Sequence, residues 1–406
     1  MLLFVSHHNP FEITGGGAMA SHAYLRFFCD WSGGELDLVV SDVCKKTLLE
    51  HSDSNLKISK IIYTKKRKLS SKLLSVFTGV MSRHIDVVRE LLNSGKYSIV
   101  VFDHSVVSGP LVEYANKKRI KTVTIHHNFE REYFCDNNKG LYKSLFLRHV
   151  IKWERTAYIN SSLNLFLSSS DKEAFEKAYG PNEGNNAVVG VFEFRDYTIH
   201  SLNSTGKCTY MQHPVIAITG SLSTVQTEDA IKYFFSELYV SVPKDLQIII
   251  AGRNPTKAIR EECLKHDNVD LIINPPDMNE ILAESDIYLC VTRKGGGLKL
   301  RVMDGLRNGI PVLVHKCSAR GFDAFFNEPY FVQFDNRKKF LYGLVKLRKM
   351  IEENQIDKEN VMNVYKKHFS YEAGKERLNA ILESVLQSGN SFINGVNAPC
   401  GLVNKP

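Results

Sequence analysis

The sequence predicts an α/β protein of two doubly wound Rossmann-like domains. Three observations predict it. Short β-branched runs alternate with amphipathic stretches in both halves of the chain, which is the pattern of parallel βαβ construction. The strand candidates are near-continuously apolar, as strands covered on both faces are. The 406 residues exceed one ordinary core, since a domain takes about 100 to 200 residues.

In order along the first half, LLFVSH, LDLVVS, YSIVVFDH, KTVTIHH and LNLFLSSS read as strands. LSSKLLSVFTGVMSRHIDVVRELL spaces Leu73, Phe77, Met81, Val88 and Leu92 at helical intervals, and Gly95 with Tyr97 marks the return to a strand. Residues 196–214, DYTIHSLNSTGKCTYMQHP, interrupt the pattern with Ser, Thr, Asn, Gly and Pro and read as the crossing between domains. The second half restarts at VIAITGS. A helix over about 224–240 follows a Ser223/Gln226 capping-box pattern, then LQIIIAGR, VDLIIN, DIYLCVT and PVLVHKC read as strands. After residue 340 the chain turns helical in FLYGLVKLRKMIEENQ and YEAGKERLNAILESVLQ. The expected organisation is an amino-terminal domain over 1–198, a second domain over 199–370, a helix over 371–390 that crosses back to the first, and a loose tail over 391–406.

Composition excludes several classes. Hydrophobic content of 43% and charged content of 24% are those of a globular protein, and the net charge of +8 favours anionic partners without naming one. No basic face interleaved with aromatics points to nucleic acid. The eight cysteines show no CxxC or Cys/His spacing, which leaves no zinc site or disulfide framework and makes a reducing cytoplasm the expectation. MLLFVSHHNP lacks the basic and apolar regions of a signal peptide, and no apolar run reaches the roughly 18 residues of a membrane span.

Candidate chemistry concentrates in RKGGGLKLRVMDGLRNGIPVLVH, residues 293–315. In open α/β sheets ligands bind beyond the carboxyl ends of strands, where loops meet helix starts. Here Gly295, Gly296 and Gly297 follow a strand, and a helix is expected from about Leu298 to Asn308, closed by Gly309. Glycine lets backbone amides approach an oxygen, and a helix start attracts negative charge, so the expected guest is a phosphate. Val302, Met303 and Leu306 form the buried stripe, with Arg301 and Asp304 on the other face; Asp304, roughly 8 to 10 Å along the axis, would suit a ribose hydroxyl. A tight turn with surface charges is the plainer alternative, against which stand Arg293, Lys299 and Arg301 around the glycines.

This segment resembles the nucleotide-binding segment of retaining glycosyltransferases of the group 1, or family 4, type, which have the GT-B fold. ITGSLSTVQTEDAIKYFFSEL, LQIIIAGRNP and EILAESDIYLCVT look like neighbouring segments of that family, and TIHHNFEREYF and WERTAYINSSLNLFLSSSDKEAF like its amino-terminal ones. The resemblance implies two Rossmann-like domains facing a central cleft, a UDP- or GDP-sugar donor held by the second, and metal-independent transfer with retention to a hydroxyl of a saccharide or lipid-linked acceptor, in cell-surface polysaccharide or glycan synthesis. It implies that Gly16 and Gly17 close over the donor diphosphate, that His127 contacts the donor sugar, and that Lys299 and Arg301 stabilise the departing diphosphate. Arg253, Arg293, Gly295, Gly296, Gly297, Leu298 and Asp304 complete the donor site. No cofactor beyond the donor is implied.

Two departures qualify this. Gly296 stands where relatives often carry a glutamate that reads the sugar, and SLSTVQTED lacks the basic pair that often follows the corresponding loop. A non-catalytic GT-B module that binds nucleotide and serves in assembly is therefore a second reading, and a nucleotide-sugar epimerase a third. His126, Asn128 and Glu130, and Asp103 with His104, end strands that face the same cleft, or serve as polar loops. Glu284 and Asp286 sit at a helix-to-strand junction, which argues against a Mg²⁺ site. The run TKKRKLSSKLL, 64–74, is either a solvated helix start or a peripheral contact with anionic lipid on the inner membrane face.

Overall fold

Two all-parallel sheets organise the chain. The structure, a computed structural model, describes residues 1–12, 15–44, 56–65, 77–79, 82–182, 184–194, 214–295 and 297–387. The chain divides into two units, residues 1–196 with 370–406, and residues 197–369.

The first unit begins β1 (Leu2–Ser6), α1 (Gly16–Trp31), β2 (Leu36–Ser41), β3 (Lys60–Thr64), α2 (Ile85–Asn93), β4 (Ile99–Asp103) and α3 (Ser105–Lys117). It continues with β5 (Lys121–His126), α4 (Glu130–Asn137), α5 (Gly140–Asn160), β6 (Leu163–Phe166), α6 (Ser169–Tyr179) and β7 (Asn186–Val188). Its strand order is β3-β2-β1-β4-β5-β6-β7. Leu3, Val5, Val100 and Phe102 are fully buried in one cluster with Val88 and Leu92 of α2. Each such side chain contributes roughly 1.5–3 kcal/mol by leaving water.

The second unit runs β8 (Val215–Ser221), α7 (Val225–Tyr233), β9 (Gln247–Arg253), α8 (Lys257–Cys263), β10 (Val269–Ile273) and α9 (Met278–Ala283). Then follow β11 (Ile287–Cys290), α10 (Arg301–Arg307), β12 (Val312–His315), β13 (Phe331–Phe334), α11 (Arg337–Glu352) and α12 (Lys358–Phe369). The order is β10-β9-β8-β11-β12-β13. The last described helix, α13 (Tyr371–Gln387), packs in the first unit: Tyr371 donates to Asp30 at 2.8 Å and Arg377 to the Val189 carbonyl at 2.7 Å.

In both sheets the connections reverse direction once, between β1 and β4 and between β8 and β11. A crevice opens beyond the carboxyl ends at such a switch point. These two crevices are where chemistry is to be sought.

Three local expectations need correction. The cap before α7 is Thr224, whose hydroxyl accepts from the Thr227 amide at 3.2 Å, while Ser223 turns to Ser221. The helix keeps α geometry only to Tyr233 and passes through a π turn and a 3₁₀ turn to Ser241. The helix after the glycines starts at Arg301, not Leu298. Gly297 has a φ of 72°, outside the helical region, and amides 302 and 303 donate three residues back, to the carbonyls of Lys299 and Leu300. Residues 64 and 65 are described, but most of the basic run to 74, with Leu73, Met81, the crossing 196–213 and the tail 391–406, lies outside the described residues.

Candidate active site

In the second unit the crevice is floored by the end of β8 and the loop after β11. Gly295 has a φ of 94°, a conformation open to glycine, and a β-carbon there would stand 2.4 Å from the Gln226 amide. Lys299 is 6% exposed and folds its ammonium back, donating to the carbonyls of Gly295 at 3.1 Å and Gly297 at 3.3 Å. Burial lowers its pKa, opposed by the Cys317 thiol and reinforced by Arg301. Arg301 donates to the Thr219 carbonyl at 3.4 Å and the Thr227 hydroxyl at 3.1 Å. Its guanidinium occupies the space a β-carbon at Gly220 would need, 2.9 Å away, so the cation lies across the end of β8.

The other expected donor residues have positions and partners of their own. Arg293 is committed to Asp229 at 3.2 Å and Glu237 at 3.1 Å, with its guanidinium over the Tyr233 ring, so its charge is already balanced. Asp304 stands in the first turn of α10, since the helix starts late, and pairs with Arg307 at 2.8 Å. Leu298 packs its side chain on Gly321. Arg253 is exposed at the end of β9, in register with Ser221. Gly296 lies outside the described residues. Sequence reasoning missed Thr219, Gly220 and Thr227, which meet Arg301 only through the fold.

In the first unit the crevice is lined by histidines. The rings of His7, His8, His104 and His127 lie 4.7–5.9 Å apart, from the ends of β1, β4 and β5. His127 Nε2 donates to Asp103 at 2.6 Å, and Ser6 donates to the other oxygen of that carboxylate at 2.8 Å. Burial alone would raise the Asp103 pKa, but the His127 partnership outweighs it and holds it low. His104 pairs with Glu130 at 3.1 Å; burial opposes its charge, yet the carboxylate raises its pKa. Its φ of 140° is an unfavourable backbone conformation for a residue with a side chain, of the kind that concentrates at functional sites. Burial, then His127, lowers His8 to about 4.

Strand alternation separates two adjacent histidines. His126 is buried against Phe166 and bonded to Asn164 at 2.9 Å, a core residue, whereas His127 joins the crevice. α1 begins at Gly16, and a β-carbon at Gly17 would meet the His8 ring at 2.7 Å, so glycine there admits the ring against the helix start. His8 and the carboxylate on His127 were missed as partners, because only the sheet brings them together. Among the described residues no group of three or more His, Cys, Asp or Glu side chains is placed to hold a metal ion.

With this geometry in hand, residues 213–347 match the family of glycosyl transferases group 1. Between 94% and 96% of the chain superposes on solved structures. HepE from Anabaena, in complex with UDP, shares 12% identity with a TM-score of 0.65 over 94% of this chain and 99% of its own. The lipopolysaccharide outer core galactosyltransferase WaaB gives the same four values, and sucrose-phosphate synthase from Thermosynechococcus elongatus gives 10%, 0.66, 96% and 99%. The fold is GT-B. At these identities the likeness is one of fold. Comparison with curated protein sequences gives no significant match.

Proposed function

We propose that the chain is a glycosyltransferase that moves a sugar from a UDP- or GDP-linked donor to a hydroxyl of a saccharide or lipid-linked acceptor, with retention and without a metal ion. The observation that carries this reading is the pair Lys299 and Arg301 at the switch point of the second unit. One is buried under the glycine loop and the other lies across Gly220. Two cations set beside a glycine loop at the carboxyl end of a strand suit a diphosphate.

In transfer, the bond from the anomeric carbon to the phosphate oxygen breaks and its electron pair stays on the diphosphate. Lys299 and Arg301 are fixed donors for that growing charge, which costs no reorganisation at the moment of reaction. The acceptor oxygen forms the new bond and passes its proton to the departing phosphate oxygen on the same face, which is what retention requires. In the first unit, Asp103 takes the Nε2 proton of His127 as a hydrogen bond, leaving Nδ1 to accept from a sugar hydroxyl. Asp304 on the ribose and Arg253 as a further cation belong to the same reading. HepE, solved with UDP-glucose, supports a UDP-sugar as the first donor to try.

The test is release of UDP or GDP from a panel of nucleotide-sugars by the purified protein, with and without saccharide acceptors. Turnover that falls at least ten-fold in Arg301→Lys and Lys299→Ala supports the proposal. A protein that binds nucleotide but turns over no donor is the assembly module instead, a reading favoured by the lack of a cation in residues 221–229.

A further inference from the structure

Two histidine–carboxylate pairs stand side by side in the first crevice, and they differ in what they leave for a ligand. His127 bonds Asp103 through Nε2, which leaves Nδ1 for a sugar hydroxyl. His104 has no such freedom. Its Nδ1 accepts from the Val106 amide at 3.2 Å, which fixes the proton on Nε2, and Nε2 donates to Glu130 at 3.1 Å. Both nitrogens are committed inside the protein.

The backbone of His104 is held against its own preference, since a φ of 140° is strained in a residue with a side chain. The Val107 and Ser108 amides hold its carbonyl at 3.1 and 3.2 Å, and Glu130 holds its ring. That ring lies nearly parallel to the ring of His127, with centroids 5.6 Å apart and 23° between planes. His104 is a wall for His127 and not a contact for a ligand.

Glu130 is itself fixed from behind. Phe129 has no side-chain group to cap α4, and Glu154 of α5 takes that place by accepting from the Glu130 amide. Tyr179 of α6 donates to the other oxygen of Glu154 at 2.6 Å. Asn128 donates at 3.1 Å to the same Glu130 oxygen that His104 uses, which sets its direction. The contacts run without a break from α6 through α5 and α4 to the ends of β4 and β5.

We infer that Glu130 is a positioning residue: through Nε2 of His104 it keeps that ring flat against His127, and so keeps Nδ1 of His127 in place for the sugar hydroxyl. The inference rests on the reading of His127 as a sugar contact. What matters is where the Glu130 oxygen stands, more than its charge. A hydrogen bond is gone by about 3.6 Å, whereas a charge still acts at that distance.

Two small changes separate position from charge. Glu130→Gln gives up the charge and keeps an oxygen in reach of Nε2, while Glu130→Asp keeps the charge and draws the oxygen back by one methylene. Donor turnover is expected to stay within about three-fold of native in Glu130→Gln and to fall about 10- to 100-fold in kcat in Glu130→Asp, as misplacement by about 1 Å does. UDP affinity, measured by calorimetry, is expected to be unchanged in both.

The second readout needs no turnover. In full-length protein labelled with nitrogen-15 at histidine, the buried Nε2–H protons of His104 and His127, each bonded to a carboxylate, are expected as downfield signals, assigned by their loss in His104→Gln and His127→Gln. Glu130→Asp is expected to lose the His104 signal and to shift that of His127, and Glu130→Gln to keep both. Circular dichroism confirms that the variants fold, and Glu130→Gln decides by itself if Glu130→Asp does not. Three results overturn the inference: native kcat in Glu130→Asp; a loss in Glu130→Gln as large as in Glu130→Asp, which makes the carboxylate itself the reacting group; or a His127 signal that Glu130→Asp leaves unmoved. Absence of donor turnover in the native chain defeats the transferase reading instead, and the histidine signals then decide on Glu130 alone.

Discussion

The two units share a topology and differ in what stands at the turning point of it. In the first, the crevice beyond β1 and β4 holds histidines balanced by buried carboxylates, Asp103 under His127 and Glu130 under His104. In the second, the crevice beyond β8 and β11 holds Lys299 and Arg301 against carbonyls and hydroxyls. A neutral, proton-bearing crevice suits hydroxyls, and a cationic one suits phosphate. The sheet supplies the place and the loops supply the charge.

The largest way to break this comparison is steric. A β-carbon at Gly252 would sit 1.8 Å from the Gly220 carbonyl, where β9 approaches the end of β8, while one at Gly15 meets nothing within 4 Å. Gly252→Ala is expected to cost more than about 4 kcal/mol and unfold the second unit, and Gly15→Ala to stay within about 0.5 kcal/mol. Chemical denaturation followed by circular dichroism measures both.

Acid separates the units next. His8, His84 and His126 of the first unit are held to about 4, mainly by burial, against an ordinary 6.5. Folded protein binds fewer protons than unfolded between those values, so stability rises with pH from about 4 to 6.5 and is lost on acidification. At about 1.4 kcal/mol per pKa unit, each contributes up to roughly 3 kcal/mol, less for the half-buried His8. Trp31 and Trp153, the two tryptophans of the chain, both lie in the first unit. Their fluorescence is expected to report unfolding at a higher pH than the second half of the circular dichroism change.

A single buried acid sharpens the picture. Glu154 accepts from the Glu130 amide and from Tyr179, and burial raises its pKa to about 8. Folded protein binds this proton up to about 8 and unfolded protein only to about 4.3, so the stability it contributes is present in acid and lost as pH rises through that window. The difference in stability between native protein and Glu154→Gln is expected to shift by a few kcal/mol toward the variant between pH 5 and 8.5. A constant difference would show that Glu154 is ionised throughout.

Much of this architecture was legible because central parallel strands are continuous apolar runs, as in LLFVS and IVVFD. The strands that escaped are short or at edges: KIIYT is partly exposed, NAV has three residues, and FVQF has four. α3 was hidden by Pro110 inside it, and α5 by buried His149 and Glu154, which break the apolar stripe. At the site, the glycines and cations of residues 293–301 were visible as types. Their partners were not, because Arg301 reaches Thr219 across 82 positions, and His127 reaches Asp103 across 24. Charge alone also misled: Arg293 reads as a free cation until Asp229 and Glu237 are brought beside it.

The central claim is that the second crevice, and not the first, binds the nucleotide diphosphate. Calorimetric titration of UDP and GDP into the native protein, Arg301→Ala and His127→Ala tests it. Hydrogen bonds to charged groups contribute about 1.5–3 kcal/mol, so Arg301→Ala is expected to weaken nucleotide binding about 10- to 100-fold while His127→Ala leaves it unchanged. Equal affinity in native protein and Arg301→Ala, or loss on removing His127, would contradict the account.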